Sequence, residues 1–179
     1  MNRIFVAALK EETPGLNFFH YTGVGKINAT YNLTKLIQSH KPKEVINFGT
    51  AGAMNKNLKG IVECTHFYQR DMDVTALMDF KIGQTPFDSI NEIIISKRGY
   101  SCGTGDSFVT GSMPLQVDIV DMEAYALAKV CLLEKIKFRC FKFISDYADE
   151  SANINWLENC KNGSKLFEHK LKELKILLS

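Results

Sequence analysis

The sequence is poor in the residues that mark secreted, metal-bound or extended proteins. Its 179 residues include only four prolines, one tryptophan, four histidines and five cysteines. The cysteines, at 64, 102, 131, 140 and 160, are odd in number and no two form a CxxC pair. They resemble neither a zinc knuckle nor a disulfide framework, so a reducing compartment and a cytoplasmic location are expected. The histidines, at 20, 40, 66 and 169, form no HExxH motif and have no acidic partner at ligand spacing. Structural or surface roles are expected for them, with no metal and no cofactor. Charge of either sign is not in excess: 22 basic against 20 acidic residues leave +2. Nucleic acid is therefore not an expected partner, since a basic stripe would show as a run or an imbalance. The one dense basic tract, 165–175, is interleaved with Glu168, Glu173 and apolar residues and reads as a solvated helix face. Long apolar runs are missing too. The opening RIFVAAL meets Lys10, Glu11 and Glu12 too soon for a signal-peptide core or a bilayer span, so no membrane partner is expected.

What is present is a core-forming chain, 45% hydrophobic and 23% charged, a balance that can bury an interior without disulfide or metal staples. It holds no repeat, low-complexity tract or interdomain linker, and one domain over 1–179 is expected. Residues 3–9, 44–48 (EVINF) and 138–144 (FRCFKFI) are dense apolar runs of the kind buried on both faces of a parallel sheet. Residues 61–67 and 92–96 are weaker strand candidates. Between the first two runs, Ile27, Tyr31, Thr34 and Ile37, with Leu33 and Leu36, recur at helical spacing over 26–39. Further helices are predicted over 122–133 and from about Trp156 to the C-terminus, while 78–104 is the least regular stretch. Strand, helix and strand in alternation predict an α/β three-layer sandwich around a central mixed, mostly parallel sheet. Such folds bind ligands beyond the C-terminal ends of their strands.

The residues with chemical potential stand at those ends. Glu11 and Glu12 follow the first strand and precede Pro14 and Gly15. They read either as a surface or capping pair or as a carboxylate facing the ligand crevice. NFGTAGAM, 47–54, runs from a strand into a small-residue turn, which either serves as a turn alone or lets Thr50, Ala51 and Gly52 bring backbone amides close to a ligand. It lacks the Walker lysine and the dinucleotide glycine spacing. In GTGDSF, 103–108, Asp106 orients or caps the loop, and Phe108 either covers a flat ring or packs inward. In IVDMEAYALA, 119–128, a carboxylate can accept two sugar hydroxyls, or Asp121 and Glu123 complement a helix N-terminus. FKFISDYADE, 141–150, ends a strand with Ser145 and Asp146; the aspartate is placed to donate a proton to a leaving group or to cap a helix, as Ser151 also is. Asp149 and Glu150 read as solvated neighbours. No nucleophile elbow is recognisable.

Taken together, AALKEE (7–12), TGVGKINA (22–29), VINFGTAGAM (45–54), DMDVTAL (71–77), GTGDSF (103–108), VDMEAYALAKVC (120–131) and FISDYADE (143–150) resemble the bacterial 5′-methylthioadenosine/S-adenosylhomocysteine nucleosidases of the nucleoside phosphorylase superfamily, in the family order. The resemblance implies a nucleoside phosphorylase-like fold and hydrolysis of the N-ribosidic bond of an adenosine-type nucleoside, with the nucleoside and water as the reacting partners; the alternatives are a hydrolase or phosphorylase of another purine-like nucleoside, such as a futalosine-type substrate, and a protein that binds a nucleoside without turnover. By position, Glu12 matches the water-activating glutamate and Asp146 the acid that protonates purine nitrogen 7. Met122 and Glu123 match the ribose-binding pair, Phe108 the residue stacked on adenine and Val109 its neighbour that reads the base edge. Thr50, Ala51 and Gly52 match the loop near ribose and water, and Trp156 an aromatic facing the 5′ substituent. The resemblance also implies a homodimer in which the neighbouring subunit helps complete the 5′ pocket. It implies neither cofactor nor metal. An acid at 146 fits adenine, because the 6-oxopurine enzymes commonly carry asparagine there. Phosphorolysis would need cationic donors, for which Arg70, Arg98 and Arg139 are the candidates. The chain departs from the family in three places: only nine residues separate Glu12 from Thr22, 85–102 is contracted, and YQRDMDVT has no histidine ahead of its DVT.

Overall fold

The computed structural model describes residues 2–77, 79–148 and 156–174, and its elements alternate along the chain. They are β1 (Arg3–Ala7), a 3-10 turn (Lys10–Glu12), β2 (Phe19–Tyr21), α1 (Lys26–His40), β3 (Glu44–Ala53), β4 (Ile61–Gln69), β5 (Glu92–Ile94), β6 (Tyr100–Thr104), β7 (Ile119–Asp121), α2 (Ala124–Leu133), β8 (Lys137–Asp146) and α3 (Trp156–Glu173). The apolar runs at 3–9, 44–48 and 138–144 do form strands, and the helical spacing over 26–39 and the helix expected over 122–133 are borne out with small changes of boundary. Three strands, β2, β6 and β7, were not predicted. They are short, and two of them are rich in polar residues or glycine.

The eight strands form one mixed sheet. The β1–β2, β1–β3, β3–β8, β4–β6 and β6–β7 pairs are parallel, and β3–β7, β4–β5 and β4–β8 are antiparallel. Because β3 pairs with β8 along its length and with β7 at its last residues, the pairings close into a ring running β3, β8, β4, β6, β7 and back to β3. Alternation along the strands sorts the core into two layers. Ile4, Val6 and Val45 pack with Ala29, Leu33 and Ile37 of α1 and with Ala124, Leu127, Ala128 and Cys131 of α2. Phe5, Ile46, Phe48, Phe141 and Phe143 point the other way and meet Phe167 and Leu171 of α3. Phe48 and Phe167 stack at 4.2 Å between centroids. Helices on both faces of the sheet make the three layers.

Two expectations change. The segment 47–54 does not leave the strand: β3 stays extended to Ala53, with an irregular register between Ala51 and Gly52. Neither Gly49 nor Gly52 has positive φ, so the glycines are there for room. In α1 the buried stripe is Ala29, Leu33 and Ile37, whereas Ile27 and Tyr31 face outward. On α3, Lys170 pairs with Glu173 and Lys172 with Glu168, as a solvated face should. Asp149, Glu150 and Ser151 lie outside the described residues. Among the described residues, no helix is long and apolar enough to cross a membrane.

Candidate active site

Beyond the ends of β1, β3 and β8 lies a cavity of about 390 Å³, within the range of small-molecule sites. Glu12, Thr50, Ala51, Gly52, Phe108, Val109, Met122, Glu123 and Asp146 all line it. Trp156 is the first residue of α3, and its side chain lies outside what the structure describes.

Glu12 is buried in the turn that follows β1, while Glu11 is exposed. One carboxylate oxygen accepts the Ala8 and Leu9 amides at 3.1 and 3.2 Å. The other accepts the Thr50 amide at 2.8 Å and the Thr50 hydroxyl at 3.0 Å. Four donors therefore fix its orientation. Gly49 is required beneath it, since a Cβ there would stand 3.0 Å from the Glu12 Oε1 and 3.3 Å from the Lys142 Nζ. Asp146 ends β8. Its oxygens accept the Ser145 hydroxyl at 2.6 Å and the Ala148 amide at 2.9 Å. A Cβ on Gly52 would lie 2.8 Å from Asp146, so the glycine makes room for the acid.

Asp121 and Glu123, two residues apart, have separate tasks. Asp121 accepts the Ala124 amide at 2.8 Å and so does complement the start of α2, and it also accepts the Thr104 hydroxyl at 2.6 Å. Burial alone would raise its carboxyl, but the Lys142 ammonium at 2.8 Å and these hydrogen bonds hold it below the usual carboxylate range. Lys142 is itself only 1% exposed. Its burial favours the neutral amine, yet Asp121, with smaller help from its other neighbours, keeps the ammonium well above lysine's ordinary value. Glu123 accepts the Gly25 amide at 2.9 Å across the cavity from Glu12. Burial, and next the charge of Asp121, push its carboxyl up to about 8 against the opposing pull of Lys142 and the Gly25 amide.

Phe108 is 60% exposed, so it does not pack inward. Its loop is tied down just before it. Asp106 accepts the Lys26 amide at 2.8 Å, which caps α1, and donates its own amide to Asp71 at 2.8 Å. Asp71 also accepts from the Lys26 ammonium. Arg70 donates to the carbonyls of Gly105 and Ser107 and to the Ser107 hydroxyl. Of the three arginines considered for phosphate, Arg70 alone lines the cavity, and those bonds occupy it; Arg139 binds Glu63 at 2.8 Å elsewhere. Among the described residues, no cluster of histidine, cysteine, aspartate or glutamate has the geometry to hold a metal ion.

Lys142, Arg70, Ser107 and Ser145 were not singled out as site residues from the sequence, although Arg70 was weighed for phosphate. A single lysine alternating with Phe141 and Phe143 inside an apolar strand was the available signal for Lys142. The family model of the phosphorylase superfamily matches residues 17–98. The chain is 31% identical to the 5′-methylthioadenosine/S-adenosylhomocysteine nucleosidase of Staphylococcus haemolyticus, over 97% of its own length and 91% of that protein. It is 33% identical to the nucleosidase of the same name from Haemophilus ducreyi, over 76% and 70% of the two chains. It belongs to the 5′-methylthioadenosine/S-adenosylhomocysteine nucleosidase family. In fold it matches the futalosine hydrolase of Helicobacter pylori, with a TM-score of 0.83 and 21% identity over 96% of this chain and 98% of that one. It also matches the nucleosidase of Colwellia psychrerythraea in complex with adenine, with a TM-score of 0.78 and 22% identity over 93% of each.

Proposed function

We propose that this protein hydrolyses the N-ribosidic bond of a 5′-substituted adenosine, such as 5′-methylthioadenosine or S-adenosylhomocysteine, and releases adenine. The observation that carries the reading is the meeting of Glu12, Glu123 and Asp146, delivered by three separate strand ends, on one cavity.

Breaking the bond leaves positive charge on the ribose and an electron pair on the departing base. Asp146 neutralises the base by giving a proton to nitrogen 7. Water adds to the anomeric carbon while Glu12 takes its proton. Glu123 accepts the 2′ and 3′ hydroxyls, and Glu12 and Glu123 stabilise the cationic sugar. Met122 packs beside the ribose, Phe108 covers the adenine face and the Val109 backbone reads the base edge. Ala51 and Gly52 leave the ribose room. None of these steps calls for a cofactor.

We further propose that the whole chain acts as one domain in the cytoplasm and as a homodimer. The outward stripe of Ile27 and Tyr31 on α1, together with exposed Leu77 and Phe87, supports a second copy as the cover.

The test is to incubate the purified protein with 5′-methylthioadenosine, S-adenosylhomocysteine, adenosine, inosine and futalosine, with and without phosphate, and to resolve the released base by chromatography. Adenine released without phosphate, ranked by 5′ group, is the expected result. A requirement for phosphate, release of a different base alone, or folded protein that releases nothing overturns the reading.

A further inference from the structure

Phe108 has little of its own to hold it. Its ring is 60% exposed, and no hydrogen bond fixes residue 108 itself among the described contacts. Its position over the cavity is set by the backbone just before it, and that backbone is clamped from two sides. Lys26 and Asp71 grip Asp106 on the side away from the cavity. Arg70 grips the cavity side: one Nη donates to the Gly105 carbonyl at 3.1 Å and to the Ser107 carbonyl, and the other donates to the Ser107 hydroxyl at 3.2 Å.

Three further observations show that this clamp is built. Gly105 gives the guanidinium its room, because a Cβ would come within 2.8 Å of the Arg70 Cζ and 2.9 Å of its Nη1 and of the Asp71 carboxyl carbon, so the arginine could not keep its present position over any larger residue. The Arg70 amide continues the β4–β6 ladder by bonding the Thr104 carbonyl at 2.9 Å, so the side chain projects from a fixed base. Its Nε is buried without a hydrogen-bond partner, a cost that would select for any shorter or simpler side chain if the guanidinium served no purpose.

We propose that Arg70 is a positioning residue for base recognition: its planar fork sets the height of Phe108 over the cavity and so the affinity for the purine. The inference rests on the proposed stacking of Phe108 on the base. Lysine cannot replace arginine here, since one ammonium cannot hold two carbonyls and a hydroxyl in a fixed plane. Because Arg70 acts through the base-binding loop and leaves Glu12 and Asp146 in place, its loss weakens binding and spares the chemical step.

The experiment measures kcat, KM and adenine affinity for wild type, Arg70→Gln, Arg70→Lys, Phe108→Ala and the Arg70→Gln/Phe108→Ala double variant. Adenine alone is the probe of the base subsite, with 5′-methylthioadenosine as substrate. Arg70→Gln is expected to raise KM and the adenine Kd about tenfold, the scale of one stacked base, with kcat within about threefold. Arg70→Lys is expected to behave the same way, and the double variant no worse than Phe108→Ala, because both changes remove one interaction. Ser107→Ala, which removes one exposed contact, keeps the test open should Arg70→Gln fail to fold; about a twofold rise in adenine Kd is expected. Unchanged adenine affinity in Arg70→Gln, or in Ser107→Ala where that variant alone folds, overturns the proposal. So do full rescue by lysine, additive effects in the double variant, or a fall in kcat at constant KM. A wild-type protein that releases no adenine overturns the proposed function and this inference together, whereas an active wild type with an indifferent Arg70 removes the inference alone.

Discussion

Strands β3 and β8 lie side by side for most of their length, and their two faces differ in what they bury beside apolar side chains. One face carries Ile46, Phe48, Phe141 and Phe143 against Phe167 of α3, with no charged group in the cluster. The other carries, among apolar residues such as Val45, Phe138 and Ile144, Asn47 accepting from the Cys140 thiol and Lys142 reaching Asp121, with Cys102 also donating to that aspartate. The aromatic face stabilises by area and close packing, and substitutions there are tolerated in proportion to the volume they change. The polar face holds an ion pair whose desolvation roughly cancels its attraction. Its contribution is positional: it fixes a carboxylate beside Glu123 and a cation beside Glu12.

That division can be broken on each side. Asp146→Asn should cut turnover by about two to four orders of magnitude while substrate binding changes little, because the proton is needed chiefly in the transition state. Steady-state kinetics beside a direct binding measurement checks it, and equal losses in both would assign Asp146 to binding. Lys142→Met should cost about 3–5 kcal/mol by leaving Asp121 buried without its counter-charge. Phe167→Ala should cost a similar 3–5 kcal/mol, by cavity formation on the other face. Denaturant melts give both values, and the comparison is sharpened by activity per folded molecule. That activity should survive the phenylalanine change and not the lysine change.

Glu123→Gln offers a smaller test with a definite sign. The carboxyl is raised from 4.5 to about 8 in the folded protein. Such a group contributes its stability fully below its unfolded value and loses it as pH rises through the folded one. Wild type should therefore weaken between about pH 4.5 and 8, and the glutamine variant should be more stable than wild type at pH 9, by about 1–3 kcal/mol. Thermal melts across pH check this, and a variant less stable at pH 9 would show that Glu123 is comfortable as a buried anion. Smallest of all, Lys172→Ala on the exposed face of α3 should change stability by no more than about 0.5 kcal/mol.

Much of the fold was legible because β1, β3 and β8 are apolar on both faces, which leaves no competing helix pattern. Glu12 and Asp146 were legible because each closely follows such a run, where a strand must deliver it to the crevice, and Glu123 because it is an acid at the start of a predicted helix. The strands β2, β6 and β7 were hidden, since three to five residues such as FHY or YSCGT carry no period of their own and are strands only because a neighbour pairs with them. The extension of β3 through GTAGA was hidden for a related reason. Small residues read as a turn when considered alone, and it takes Glu12 and Asp146 pressing on Gly49 and Gly52 to show that they are clearances in a strand. Lys142 was the least legible, because nothing local announces that its partner is an aspartate on another strand.

The ring of strands also sets when the site can exist. Its closing seam joins β3 to β8, so that Asn47 and Cys140 meet across 93 positions of chain, and the cavity has walls only when that seam is shut. Contacts so distant in sequence form late, because the intervening chain must be ordered before they gain anything. During refolding, helical signal and hydrophobic collapse should therefore return well before nucleoside cleavage does, and the recovery of activity becomes a clock for the last topological step of folding.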